Sequence, residues 1–138
     1  MKMIWCWLSL GLVAVGGCSP TSPDDFRHEG QAVTRELLRD LQGVLTREDL
    51  VAIEPVFKKR FERLAVVMIQ ARQFQIDNPE AVLSNLSPYS VELNDQLQEE
   101  LQRIYRIETG QSIIEKAQRE AMLRLDGFEN GLGKRIKN

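Results

Sequence analysis

The chain has 138 residues and a formal net charge of −2, with a single histidine and two cysteines. This length suits one domain, and the weak acidic balance gives no electrostatic reason to expect nucleic acid as a partner. One histidine cannot supply the two Glu-x-x-His pairs that a di-iron helical bundle requires.

Residues 1–17 have the pattern of a secretory signal. A single positive charge at Lys2 precedes an apolar run over residues 4–15. A membrane-spanning helix needs about 20 apolar residues, whereas polar residues return here at Ser19. We therefore expect this segment to direct export rather than to span the membrane.

The signal segment closes with Val15-Gly16-Gly17-Cys18, which resembles the lipobox of bacterial lipoproteins. The resemblance covers only these first residues of the chain. It implies that a signal peptidase cuts between Gly17 and Cys18, that the Cys18 thiol carries a diacylglyceryl group, and that the new amino terminus is acylated. Two or three acyl chains, at ~0.8 kcal/mol per buried CH₂, anchor a protein stably. Because Ser19 replaces the retention Asp of some Gram-negative lipoproteins, the resemblance favours the outer membrane and leaves the exposed face undetermined.

Cleavage at this position also limits the chemistry available to the rest of the chain. It would remove Cys6, and acylation would occupy Cys18, so no thiol would remain for a disulfide, a zinc site or nucleophilic catalysis. The sequence contains no HExxH motif, no Gly-rich phosphate loop and no Ser/His/Asp order typical of a triad. These features predict a protein without catalytic residues, metal or cofactor.

Residues 18–25 are predicted to form a lipidated tether rich in Ser and Pro. Ser22 is placed to cap a helix that begins at Pro23 and extends over residues 23–44. The apolar stripe predicted for this helix consists of Phe26, Val33, Leu37, Leu38, Leu41, Val44 and Leu45.

A second helix is predicted over residues 47–76. Thr46 is its expected N-cap, Asp49 occupies the capping-box position, and Pro55 should kink it. Its apolar stripe consists of Leu50, Ile53, Phe57, Phe61, Leu64, Val67, Met68, Ala71 and Phe74. Residues 77–88 should form a connector with one short turn over residues 79–83.

A third helix is expected from about residue 88, and residues 109–112 either break it or are crossed by a continuous helix. Gly127 is the expected C-terminal cap, and residues 129–138 are predicted to be a flexible basic tail. The apolar positions after residue 88 are Leu93, Leu97, Leu101, Ile104, Ile107, Ile114, Ala117, Ala121, Leu125 and Phe128. Residues 26–128 therefore predict an all-α antiparallel bundle of three to four amphipathic helices.

The acidic residues and the histidine are interpreted as solvated. Glu92, Asp95 and Glu99 share one helical face, but they flank an apolar stripe near cations and so favour a solvated face over acid–base chemistry. His28 is the only histidine and cannot form a zinc site alone. A pair between Glu99 and Arg103 is expected at the favoured i,i+4 spacing.

The basic residues cluster in two places, residues 58–63 and the tail. Lys58 is expected to pair with Glu54 and Glu62 on its own helix. The alternative is an anionic partner such as phospholipid headgroups. The basic residues concerned are Lys58, Lys59, Arg60, Arg63, Lys134, Arg135 and Lys137.

Phe57, Phe61, Met68 and Phe74 are predicted mainly as core residues. The alternative interpretation is a Phe/Met-lined groove for a lipid or an amphipathic peptide.

The leading hypothesis is a membrane-anchored lipoprotein whose helical bundle is a non-catalytic interaction or structural module at the bacterial cell envelope. Its partners would be the membrane, through the lipid on Cys18, and a protein of unknown identity. The alternative is a binding module that uses the groove. Homo-oligomerisation stays open because Leu-rich stripes also suit helix pairing between chains.

Overall fold

The structure, a computed structural model, describes residues 20–81 and 87–136. Every regular element in these ranges is a helix: α1 Pro23–Gln42, α2 Arg47–Asp77, α3 Pro88–Tyr105 and α4 Gly110–Ile136. The predicted all-α bundle is confirmed, with four helices. The signal segment and Cys18 lie outside the described residues.

The predicted N-caps of α1 and α2 are confirmed in atomic detail. The Ser22 hydroxyl accepts a hydrogen bond from the Asp25 N–H at 3.2 Å, and the Asp25 carboxylate accepts one from the Ser22 N–H at 3.1 Å. Thr46 and Asp49 form the same reciprocal pair at the start of α2, at 3.2 and 3.0 Å. Each box therefore satisfies backbone donors that the first helical turn leaves free.

Both capping carboxyls have pKa values below their ordinary value of 3.8 because they accept backbone hydrogen bonds when ionised. The largest cause for Asp25 is the Thr21 N–H, and for Asp49 it is the Leu45 N–H. Donors that bind the charged form of a carboxyl favour that form.

Side-chain contacts between helices show how α1, α2 and α4 are oriented. Arg60 Nε donates to Asp40 at 3.0 Å near the end of α1, whereas the Phe26 ring, near its start, lies 5.5 Å from the Phe74 ring. Residue numbers thus rise along α1 as they fall along α2, so these helices are antiparallel. The contacts Arg47–Thr109 and Lys58–Glu120 each join residues 62 positions apart. Helices α2 and α4 are therefore parallel and in constant register.

Helix α3 runs parallel to α1. Gln31 contacts Ser90 near the start of α3, and Arg103 near its end contacts the carbonyl of Val44. α2 packs mainly on α1 and α4, α3 packs on α1 and touches α4, and α2 and α3 make no close backbone contact in the described residues. We call the end that contains residues 43–46 and 106–109 the loop end. The tether end contains Pro23, Asp77, Pro88 and Ile136.

The best-buried side chains lie toward the loop end. Leu45, which was predicted to widen the apolar stripe of α1, is 76% exposed because it follows the end of that helix. Met68 is also exposed rather than buried. The main core cluster consists of Leu37, Leu41, Val44, Leu50, Phe57, Phe61, Ala65, Leu101, Ile104, Ile114, Ala117 and Ala121.

A tight turn separates α3 from α4, which resolves the alternative left open at residues 109–112. Thr109 has φ of 60°, in the left-handed region that β-branched residues rarely adopt. Gly110 follows it, and a Cβ built there would lie 2.0 Å from the Ile104 carbonyl oxygen. Only glycine fits this close approach of two backbone segments.

Helix α4 continues past the expected stop. Gly127 does not cap it, so that prediction is wrong, and residues 129–136 are helical. The support for this extension comes from α2, which runs alongside α4 and ends only at Asp77. Phe128 and Leu132, which follow the expected stop, are half-buried.

Helix α2 continues without interruption across Pro55. A kink at this residue stays a prediction. α2 ends where the Asn78 N–H and side-chain amide both donate to the Phe74 carbonyl at 2.9 Å. Part of the predicted turn over residues 79–83 lies outside the described residues.

Candidate functional site

A cavity of about 280 Å³ lies at the tether end, between α1, α2 and α3. It lies where the backbones of α2 and α3 make no close contact. Its apolar wall consists of Pro23, Phe26, Leu64, Val67, Met68, Ala71 and Leu93. This volume is near the lower limit of small-molecule pockets, which span roughly 300–1,000 Å³.

Gly30 lies in the α1 part of the cavity wall. A Cβ built on this residue would meet nothing within 4 Å. A glycine inside a helix lowers the stability of the helix by up to ~1 kcal/mol relative to alanine. At this position it also leaves empty the volume that a side chain would occupy. Gly30 therefore contributes directly to the space in the cavity.

Four of the five polar side chains that line the cavity are bonded to protein groups, and the fifth, Asn94, is exposed to solvent. Gln31 Nε2 donates to Ser90 Oγ at 2.9 Å, and Thr34 Oγ1 donates to the Gly30 carbonyl at 2.8 Å. Arg27 pairs with Asp24 at 2.8 Å. No buried side-chain nitrogen or oxygen in the described ranges lacks a hydrogen bond. An occupant would therefore gain mainly apolar contacts here.

The structure does not bring the four predicted groove residues together. Phe57 and Phe61 are buried in the main core, away from the cavity. Met68 lies on the cavity wall and is 52% exposed. Phe74 packs its ring on Phe26, which itself lines the cavity.

Sequence reasoning missed the cavity because its walls come from three helices. Leu64, Val67, Ala71 and Leu93 carry the same periodic apolar signal as any core residue. Gly30 was the one local sign of unusual space, since a glycine in a helix interior needs a reason.

The predicted basic cluster is largely paired with acids of the neighbouring helix. Arg60 Nη1 donates to Glu36 at 2.6 Å and Nε to Asp40 at 3.0 Å. Arg63 pairs with Glu29 and more distantly with Glu36. These contacts join α1 to α2 across the surface.

Lys58 does not form the predicted ion pairs with Glu54 and Glu62 within α2. Its Nζ donates to Glu120 of α4 at 2.9 Å, whereas Glu54 pairs with Lys116 at 3.9 Å. The hydrogen bond from Lys58 lowers the pKa of Glu120, and the same bond raises the pKa of Lys58. Lys59 is exposed.

Arg103 holds the end of α1 in place. Its Nη1 donates to the Val44 carbonyl at 2.7 Å and its Nη2 to the Leu41 carbonyl at 2.8 Å. The predicted pair with Glu99 is wrong, because the guanidinium binds Glu100 at 2.7 Å instead. A cation on the carbonyls at the end of α1 also complements the negative end of the helix dipole.

The remaining candidate residues lie on the surface. His28, Asp95 and Glu99 are exposed, and Glu92 accepts a hydrogen bond from Gln96 at 3.2 Å. Lys134 and Arg135 are exposed on the last turns of α4, and Lys137 lies outside the described residues. Within residues 20–81 and 87–136, no group of three or more His, Cys, Asp or Glu could hold a metal ion.

None of the four helices in the described part of the chain combines the length and apolar character that crossing a membrane demands. Comparison of the chain with protein-family models, with curated proteins and with solved structures finds no match.

Proposed function

We propose that this protein is a bacterial lipoprotein, anchored through a lipid on Cys18, whose helical bundle is a non-catalytic interaction or structural module at the cell envelope. The observation that carries the proposal is the sequence Val15-Gly16-Gly17-Cys18 at the junction between an apolar segment and a Ser/Pro-rich one. The outer membrane is the proposed location, on the basis of Ser19.

The distance between Cys18 and the bundle supports an anchoring role. Helix α1 begins at Pro23, five positions after Cys18. An extended chain spans at most ~3.6 Å per residue, so these positions can lie no more than about 18 Å apart. A lipid on Cys18 would therefore hold the tether end of the bundle close to the membrane surface.

The surface of the bundle supports an interaction role. Met122 and Leu123 are exposed apolar side chains on α4, next to one another in the sequence. Exposed apolar residues of this kind can contribute to contacts with a protein partner or with a second copy of the chain. Crosslinking in intact cells, followed by identification of the attached proteins, would name that partner.

The anchoring part of the proposal is tested by expressing the full chain in a bacterial host and measuring the mass of the peptide that begins at Cys18. We expect a mass increase that matches acylation, together with recovery of the protein in the membrane fraction. The matched control is Cys18→Ser, which should accumulate as an uncleaved precursor or as a lipid-free protein. An unmodified Cys18 in the wild-type chain would contradict the proposal, as would lipid modification and identical cleavage of the variant.

The non-catalytic part is tested by assaying the purified protein against envelope substrates. Turnover that Glu-to-Gln substitutions on the surface of α3 abolish would contradict it.

A second candidate function is the binding of a separate lipid or an apolar peptide, and the cavity at the tether end favours it. Native mass spectrometry of the purified protein should then show a co-purified ligand. A spectrum that contains only the protein would count against this candidate.

A further inference from the structure

The cavity lies beside the point where the chain enters the bundle. Pro23, the first residue of α1, forms part of its wall. Thr21 donates its N–H and its hydroxyl to the Asp25 carboxylate, at 3.0 and 3.1 Å, so the chain is already held on α1 at this residue. Cys18 is three positions before Thr21 and can lie at most about 11 Å from it.

The chemistry of the cavity selects for a single apolar chain. Four of its five polar lining side chains are already bonded to protein groups, and the fifth, Asn94, is exposed to solvent, so they do not call for a polar ligand. Its volume of about 280 Å³ is small, and an unbranched chain suits it better than a bulky ligand does. Met68 lies on the wall, and the flexible thioether side chain of methionine adapts readily to such an occupant.

We propose that one acyl chain carried by Cys18 of the same molecule occupies this cavity, between Gly30 on α1, Met68 on α2 and Leu93 on α3. The proposal rests on the lipidation of Cys18 proposed above. Covalent attachment a few residues away keeps the local concentration of this chain high, so the cavity meets it before any free lipid. The remaining acyl chains stay in the membrane and retain the protein there.

Gly30 gives the proposal its sharpest variant. A side chain at this position would point into open space, because a Cβ meets nothing within 4 Å. Gly30→Leu should therefore fill the cavity without disturbing the backbone. Gly127→Leu is the matched control, since a Cβ at Gly127 also meets nothing within 4 Å, and this exposed helical glycine does not line the cavity.

The experiment uses the full chain in bacteria that are fed a fatty acid with a photoreactive diazirine at its end. The acyl groups of Cys18 then carry the probe. After illumination and proteolysis, mass spectrometry identifies which peptides are joined to the Cys18 peptide. We expect joins to the α2 peptide that contains Met68 and to the α3 peptide that contains Leu93.

Gly30→Leu should reduce these joins roughly tenfold, because the leucine side chain takes the close-packed space that the acyl chain needs. Gly127→Leu should leave them unchanged. Circular dichroism shows whether each variant is folded. If Gly30→Leu does not fold, Ala71→Leu, which adds volume on the α2 wall, takes its place in the comparison.

The outcomes separate this proposal from the one on which it rests. An unacylated Cys18 overturns both. An acylated Cys18 with no join to the cavity peptides, or with joins that survive filling of the cavity, overturns only the present proposal. Adducts of free phospholipid on the cavity peptides, without joins to Cys18, also overturn it and support the separate binding function instead.

Discussion

The two ends of the bundle are packed differently although the same four helices reach both. Toward the loop end, Leu50, Ile104 and Ile114 are fully buried. At the tether end, Phe26 and Val67 are less completely buried and border a cavity. The same type of apolar side chain therefore produces a closed core at one end and an open one at the other.

The difference follows from how the helices are connected. Short connections over residues 43–46 and 106–109 join neighbouring helices at the loop end, where Arg103 also ties α3 to α1. At the tether end, residues 78–87 link α2 to α3, which lie at opposite corners. Apolar periodicity along each helix is thus not enough to produce a tightly packed core. The helices must also be held close together at the end of the bundle concerned.

The largest expected effect compares a side chain at each end. Phe57→Ala should lower the free energy of unfolding by about 4 kcal/mol, because it leaves a void in a fully buried site. Met68→Ala should cost under about 1 kcal/mol, because half of this side chain is already exposed. Urea denaturation of both variants measures the difference. Equal costs would show that the two ends are packed alike.

The next largest difference in stability is expected between alanine substitutions at two glycines, Gly110 and Gly127. Gly110→Ala should destabilise the protein by about 3 kcal/mol, since its Cβ would overlap the Ile104 carbonyl at the loop end. Gly127→Ala should stabilise it by up to ~1 kcal/mol, because the new methyl group meets nothing and alanine favours the helix. Thermal unfolding should move in opposite directions for the two variants. A tolerated alanine at residue 110 would mean that the turn is not constrained as described.

Removal of the guanidinium of Arg103 should loosen the loop end. Arg103→Met should cost about 1.5 kcal/mol, because the Val44 carbonyl loses its charged donor and the Leu41 carbonyl keeps only the Val44 N–H. Arg106→Met, on an exposed neighbour, should change stability by less than about 0.5 kcal/mol. Denaturation at neutral pH compares them. Similar values for both would show that the contacts of Arg103 carry no net stability.

The capping boxes should produce the smallest effect, and an equal one at both ends. The pKa values of Asp25 and Asp49 are lowered in the folded state, so their contributions are fully present above the ordinary pKa of 3.8 and are lost as the pH falls through the lower folded values. Asp25→Asn and Asp49→Asn should each flatten the loss of stability below pH 3.8. Unfolding free energies measured from pH 5 to pH 2 test this. An unchanged acid profile in either variant would contradict the role of that carboxyl.

The features that could be predicted from the sequence are local ones. Ser22 and Thr46 mark the helix starts because a capping box lies within four consecutive residues. The stop at Gly127 was equally local but wrong, because support from the neighbouring α2 carries α4 through a weak helix former. Tertiary packing overrides propensity in such cases.

The ion pairs show the same limit. The i,i+4 spacing predicted a pairing of Lys58 with Glu54 and Glu62, but the hydrogen-bond partner, Glu120, is 62 positions away on a parallel helix. The cavity likewise depends on which helices meet. Phe57 and Met68 belong to the same periodic apolar stripe, yet Phe57 is buried and Met68 is exposed.

The hydrogen bonds among Gln31, Ser87 and Ser90 bear on how uniquely this chain folds. Ser87 caps α3, and Gln31 of α1 reaches both serine hydroxyls, at 3.3 and 2.9 Å. A helix with a leucine stripe can shift by one turn along its neighbour with little change in the apolar area that it buries. Such a shift of α3 along α1 would leave these polar groups without hydrogen-bond partners. The hydrogen bonds among these three residues thus favour one alignment of α3 with α1 over others that bury a similar apolar area.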